Sequence, residues 1–465
     1  MQLLSFAIRI ARKRHIVFAD SSYAFMMSHF KIRGGKPLSG SIRPRGNKNA
    51  ALPLIAAALL SDEPLTLHNV PDIGDVRTKL RLIRGLGAQV EFDGHKCVID
   101  ASGLKNQTPD AELSSQIRTS VLLAAPMLVR FKRTLLARPG GDRIGRRNLD
   151  THLSALRAFG AIVDVKGSTF VLSTKGLQGA DLFLEEMSVT GTEQAILCAV
   201  LSPGKTRISQ AATEPHVQDL CRCLVAMGAR ISGIGTHTVT IIGVTALSRA
   251  EFTVSPDYME VGSFIALAAA TRSTIRIVDA QPENQRITQA AFGRLGVNWE
   301  VDGEDILIAD SQDLRMDSDF DGATPKIADL PWPGFPPDLI SIAVVLATQC
   351  RGSVLISQRL FDRRLVFVDR LIAMGAGIVQ CDPHRVVVIG PRRLRGISLS
   401  SPDIRAGMAM VIAALAAEGE TTIHNVTQVD RGYERLERRL AALGADISAA
   451  PGARPGSFAA LKKGE

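Results

Sequence analysis

One phrase of apolar and polar positions keeps returning along this chain. A helix-period run ends at a glycine and a small residue, and β-branched residues follow. The phrase reads LIRGLGAQVEF at Gly87, LRAFGAIVDV at Gly160 and LVAMGARISG at Gly228. It returns as GRLGVNWEV at Gly296, LIAMGAGIVQ at Gly375 and LAALGADISA at Gly444, at intervals of about 70 residues. Each glycine fits the position just past a helix end, where a left-handed residue closes the helix and aims the chain into a strand.

A second series interleaves with the first: AALPLIAAALLS, SVLLAAPMLV, EQAILCAVLS, GSFIALAAAT, LISIAVVLAT and MAMVIAALAAEG. These runs are Ala-rich and apolar nearly all round, which predicts buried helices packed closely through small side chains. Several are followed by a Gly or Pro turn and a strand such as KTRISQA, GSVLISQ or GETTIHN. The predicted unit is therefore two helices with intervening strands, present six times. Six units make an α/β chain of two domains with three units each, and a cleft between them is where a ligand is expected.

Polar residues stand just before the buried runs: Lys48 and Asn49 in RGNKN, Arg118 in QIRTS, Ser188, Val189 and Thr190 in SVTGTE, Asp257, Asp338, and Asp403 with Arg405. Ser, Asn and Asp are ordinary N-caps. A helix start also attracts anions, and a neighbouring Lys or Arg strengthens the attraction. Lys48, Arg118, Arg147, Arg405 and Arg431 fall at equivalent joints of different units. They form either one shared anion site or five unrelated surface cations. The stretch PGGDRIGRRNLDTH at 139–152 adds Asp142 straight after two glycines, with Arg143, Arg146 and Arg147 close behind. An acid among cations suits a site that holds an anionic substrate and moves a proton, although a solvated basic loop has the same composition.

Composition narrows the classes. The 465 residues are 46% hydrophobic and 22% charged, ordinary for a globular chain with a sizeable core. Net charge is +9 and the pI is near 9.4, compatible with a polyanion partner or with a cleft for phosphates and carboxylates. Aromatics are only 5%, so a base-stacking platform is not indicated. A basic nucleic-acid-binding repeat protein would explain the charge but not the acids set beside the cations. The six cysteines form no CxxC pair and no metal spacing, which predicts reduced core thiols in a cytoplasmic protein without a metal. No apolar run reaches the length of a membrane span. Residues 1–27 differ in character from the rest of the chain, with an apolar patch ahead of RIARKRH, and are expected to be an N-terminal extension.

RGNKNAALPLIAAALL at 45–60 resembles the amino-terminal signature of the UDP-N-acetylglucosamine enolpyruvyl transferases. PGGDRIGRRNLDTHL, SVTGTEQ, EPHVQDL, PDYMEVGSF, PGFPPDL, LFDRRL and VDRGYERLERRLAALGA resemble further landmarks of that family, in its order. The likeness runs from about residue 28 to 449. The sister synthase of aromatic biosynthesis shares the six-fold repeat but resembles these strings less.

The resemblance implies a two-domain, inside-out α/β barrel built from six βαβαββ-like repeats. Domain I would span 48–255 and carry a mobile catalytic loop. Domain II would combine 28–47 with 256–465. The implied reaction moves the enolpyruvyl group of phosphoenolpyruvate onto a hydroxyl of a UDP-sugar, with no cofactor, nucleic acid, membrane or obligatory protein partner. Lys48, Arg118, Arg147, Arg405 and Arg431 would hold phosphoenolpyruvate, and Asp142, Asp338, Lys48 and Arg431 would take part in the chemistry. Asp142 stands where many members carry a cysteine. Asp338 matches the carboxylate that takes the proton of the attacking hydroxyl. Asn49, Arg118, Asn148, Leu149, Asp150, Thr151, Ser188, Val189, Thr190, Asp338, Leu360 and Asp403 would contact the UDP-sugar.

Departures from the family pattern gather around the acceptor: Asn148, Thr151, Leu122, Glu186, Trp332 and Arg363. They leave room for a paralogue acting on another hydroxyl or another nucleotide sugar. A catalytically silent member is the remaining alternative, and the acids Asp142, Asp338 and Asp403 count against it.

Overall fold

The computed structural model describes residues 28–450, apart from positions 143, 144, 146 and 147. The expected N-terminal extension and Arg147 lie outside the described residues.

All six repeat glycines take positive φ: 109° at Gly87, 93° at Gly160, 101° at Gly228, 82° at Gly296, 101° at Gly375 and 94° at Gly444. Five of them follow directly on a helix-capping residue, as at Leu86 after the helix Gly74–Gly85 and at Leu443 after Leu436–Ala442. The left-handed turn lets the chain leave the helix and enter a strand at once.

The Ala-rich runs are buried helices. Tyr258–Ala270 is buried along its whole length, and Ile404–Ala416 nearly so. These two pack on each other and on Ile340–Ala347, because alanines let backbones approach closely. In the other part of the chain, Lys48–Ala57 packs on Pro215–Ala226, and Ala124–Phe131 packs on Val189–Ala199.

The described strands form five four-stranded sheets and one of three strands. The four-stranded sheets share one order, with a parallel pair at one edge and antiparallel neighbours beyond. Thr274–Ile277, for instance, runs parallel to Ser39–Ile42 and antiparallel to Asp305–Ile308. Lys205–Ser209 has a parallel neighbour in Asp181–Phe183 and an antiparallel one in Thr238–Ile242. The architecture is mixed α/β. The barrel of the sequence reading is not found as a closed sheet among the described residues, whose strands fall into six separate sheets.

Buried apolar residues fall into two cores. One gathers Phe30 to Ile42 with Tyr258 to Ala445, the other Ala50 to Val254. The chain passes between them at two places that lie side by side. Asn47 N–H donates to the Ser255 carbonyl and Asp257 N–H to the Arg45 carbonyl, both at 2.8 Å. Cys97, Cys198, Cys221, Cys223 and Cys350 are buried free thiols as expected, whereas Cys381 is exposed. Its strand, Gly377–Asp382, lies at a sheet edge, and Val379, Gln380 and Cys381 are all exposed where the register shifts between Gln380 and Asp382. Among the described residues no helix is long and apolar enough to cross a membrane.

Candidate active site

Four of the polar residues ahead of buried helices are caps. Asn47 accepts from the backbone N–H of Asn49 at 2.8 Å and of Ala50 at 3.1 Å, fixing the first turn that carries Lys48 and Asn49. Ser188 accepts from Gly191, Asp257 from Met259, and Asp403 from Arg405 and Ala406. Asp338 differs. It sits in the short turn Pro337–Leu339 without capping it, and its carboxylate is committed to side chains.

Two alternating chains of charge result. In the first, Lys48 Nζ lies 3.2 Å from Asp75, whose other oxygen takes Arg431 Nε at 2.9 Å. Arg431 Nη1 in turn reaches Asp142 at 2.7 Å. In the second, Arg405 Nε donates to Asp338 at 2.8 Å, Arg364 binds the other Asp338 oxygen, and Arg364 Nη1 lies 3.4 Å from Asp403. Arg405 also donates to the Tyr433 hydroxyl at 3.3 Å and lies over that ring. Four cations therefore meet four carboxylates, every one of them largely withdrawn from solvent.

The two chains feel each other. Burial alone would raise the Asp142 carboxyl, but Lys48, Arg431 and Arg364 overcome it and hold the group below its ordinary range. For Asp338 burial again pushes upward, and Arg364, Arg405 and Lys48 push it well below the ordinary carboxylate range. Both acids are ionised at neutral pH. Among the described residues no group of three or more His, Cys, Asp or Glu is arranged to hold a metal.

Arg118 stands beside this network. Its Nη2 donates to the Asn148 carbonyl at 2.6 Å, and its Cβ packs close to Gly141, the neighbour of Asp142. A cavity of about 1230 Å³ opens there, lined by Arg118, Asp142, Asn148, Leu149, Asp150 and Arg363 among others. Thr151 follows Asp150, which lines this space, and packs on the segment that carries Ser188 to Thr190, whose residues are not part of the lining. Thr151 Oγ1 donates to Glu186 at 3.1 Å, its methyl approaches Gly191, and Thr190 Oγ1 is 2.8 Å from His152 Nε2. Thr151 and Glu186, both departures from the family pattern, thus form one local pair. Leu360 is exposed, with its N–H held by Asp329 at 3.1 Å.

Lys48, Asp142, Asp338, Arg405 and Arg431 are thereby brought together, with Arg118 and Asp403 against them. Sequence reasoning missed Asp75, Arg364 and Tyr433. Arg364 and Tyr433 lie inside the quoted segments LFDRRL and DRGYER, so their context was visible. Asp75 carries no such sign, because an acid in the first turn of a helix is commonplace.

A family model described as EPSP synthase (3-phosphoshikimate 1-carboxyvinyltransferase) matches residues 32–440. The chain belongs to this enolpyruvyl transferase family. Among such transferases, the UDP-N-acetylglucosamine 1-carboxyvinyltransferase of Bradyrhizobium diazoefficiens is 52% identical over 421 residues, covering 90% of this chain and 97% of that one. The protein of the same description from Treponema denticola is 49% identical, over 90% and 99% of the two chains. The solved enolpyruvyl transferase NikO from Streptomyces tendae superposes with a TM-score of 0.81 at 23% identity, over 91% of this chain and 99% of NikO. EPSP synthase from Acinetobacter baumannii gives 0.70 at 19% identity, over 91% and 100%. These two likenesses establish the enolpyruvyl transferase fold.

Proposed function

We propose that this enolpyruvyl transferase moves the enolpyruvyl group of phosphoenolpyruvate onto a hydroxyl of UDP-N-acetylglucosamine, releasing phosphate and opening peptidoglycan precursor synthesis. The relatives described as acting on UDP-N-acetylglucosamine support the acceptor, at 52% and 49% identity over nearly their whole length. It acts in the cytoplasm, where free thiols stay reduced. The two cores serve as two domains, 48–255 and 28–47 with 256–465, each built of three βαβαββ-like repeats around inward helices.

The observation that carries the chemistry is the balance of four cations by the protein's own four carboxylates. Phosphoenolpyruvate brings a phosphate and a carboxylate to Lys48, Arg118, Arg405 and Arg431. Charge-assisted forks to such groups are the strong kind. The incoming negative charge offsets the cations that hold Asp142 and Asp338 down, so both acids rise toward a range useful for proton transfer. The acceptor oxygen then adds to C2 of phosphoenolpyruvate while C3 takes a proton. Asp338 receives the hydroxyl proton, and Asp142, once protonated, supplies C3. Phosphate then leaves C2 with the proton held by Asp338, and a proton returns from C3 to Asp142, which restores the double bond. Asn49, Asn148, Leu149, Asp150, Thr151, Ser188, Val189, Thr190, Leu360 and Asp403 are assigned to the UDP-sugar side, and Arg147 to phosphoenolpyruvate.

The test is incubation with phosphoenolpyruvate and a panel of UDP-sugars, reading phosphate release and assigning the new ether by NMR. Release that depends on UDP-N-acetylglucosamine is expected. Release with a different sugar alone, or with none, would overturn the assignment.

A further inference from the structure

A buried lysine next to the site has no part in the chemistry just described. Lys79 is fully buried in the helix Gly74–Gly85, one turn beyond Asp75 and on the same face. Its Nζ donates to the Thr119 carbonyl at 2.7 Å. Thr119 follows Arg118 in the turn Arg118–Leu123, so this bond pins the backbone that carries Arg118. The nearby acid is Glu193, equally buried in the helix Val189–Ala199. Burial lowers the ammonium to about 7, with Glu193 opposing, so the group is costly to keep. A methionine would fill the space without that cost.

We propose that Lys79 is a positioning residue for Arg118. On this reading one helix face sets three of the substrate cations: Asp75 orients Lys48 and Arg431, and Lys79 orients Arg118. The inference rests on the assignment of those cations to phosphoenolpyruvate. Lys79 is too deeply enclosed to touch substrate, and acts through the Thr119 carbonyl.

The test uses the full chain as wild type, Lys79→Met, Glu193→Gln and the double variant, with kcat and KM for each substrate and a melting temperature for each protein. Lys79→Met is expected to lower kcat/KM for phosphoenolpyruvate at least tenfold. Glu193→Gln should leave it within about twofold of wild type. The double variant, which carries no lone buried charge, should regain the melting temperature of wild type without regaining kcat/KM. Recovery of kcat/KM in the double variant would mean that Lys79 merely neutralises Glu193, and would overturn the proposal. So would an unchanged kcat/KM in folded Lys79→Met, or failure of both Lys79 variants to fold. A wild type that releases no phosphate from phosphoenolpyruvate defeats the parent assignment instead, and is read in the same assay.

Discussion

Individual residues divide here between those that hold charge and those that hold the holders. Asp338 is shared by Arg364 and Arg405, so removing one partner leaves a buried carboxylate half compensated. Arg405→Ala is therefore expected to cost about 3–5 kcal/mol of stability in urea unfolding, because breaking a buried pair exposes the desolvation cost of the other member. Phosphoenolpyruvate use should fall with it, read as a rise in KM. Asp142 stands differently. Its carboxylate touches Arg431 from a loop segment, and Arg431 also holds Asp75 and Gln428, so it keeps partners when Asp142 is removed. Asp142→Ala should keep the melting temperature within a few degrees and lower kcat at least tenfold, since general acid help is worth roughly 10²–10⁴ in rate. Unchanged turnover would remove this residue from the mechanism.

At the scale of elements, the first turn of the helix Lys48–Ala57 and the approach to Asp142 decide whether cations and acids meet. Asn47 satisfies two N–H groups at that helix start, and Lys48 is the next residue. Asn47→Ala is expected to cost about 1 kcal/mol of stability, the usual loss when a cap is removed, and to raise KM for phosphoenolpyruvate as Lys48 loses its fixed base. Both are measured on one preparation by denaturation and steady-state kinetics. The loop before Asp142 is set by close approach. A Cβ at Gly140 would come within 1.6 Å of the Ser115 carbonyl oxygen. Gly140→Ala must therefore push this segment away from Arg118, and a fall in kcat of tenfold or more with a melting temperature near wild type is expected.

The whole molecule is held across its two cores by contacts that also border the site. The DRGYER segment supplies Arg431 to Asp75 and Asp142, and Glu434 to the Asp72 N–H at 2.8 Å and to His95 at 3.0 Å. On another side Thr213 donates to the Trp332 carbonyl at 3.1 Å. Nearby, His216 of one core stacks on Tyr258 of the other, which meets Trp332 edge-on. Burial pushes His216 from 6.5 down to about 4, with Asp338 opposing and Arg405 assisting. Below pH 6.5 the unfolded chain therefore takes up a proton that the folded chain refuses. The His216 contribution to stability is complete above pH 6.5 and is lost as pH falls toward 4, by up to roughly 3 kcal/mol. Urea titrations at pH 7 and 4.5 should show wild type losing more stability than His216→Gln by about that amount.

Much of this was legible in the chain itself. The helix and strand periods, the six left-handed glycines and the caps are local properties, dictated by side-chain spacing and by which backbone angles a residue tolerates. The strings around Lys48, Asp142, Asp338, Arg405 and Arg431 were equally readable, each as a short segment. Their meeting was not. Asp75 is 356 residues from Arg431, and nothing in its local sequence sets it apart from other helix-start acids. The same holds for Lys79, whose role depends on a carbonyl 40 residues away. Which acid neutralises which cation is decided by packing of distant elements in a medium of low polarity, where an unpaired charge is too costly to persist. That decision belongs to the tertiary structure, because no window along the chain contains both partners.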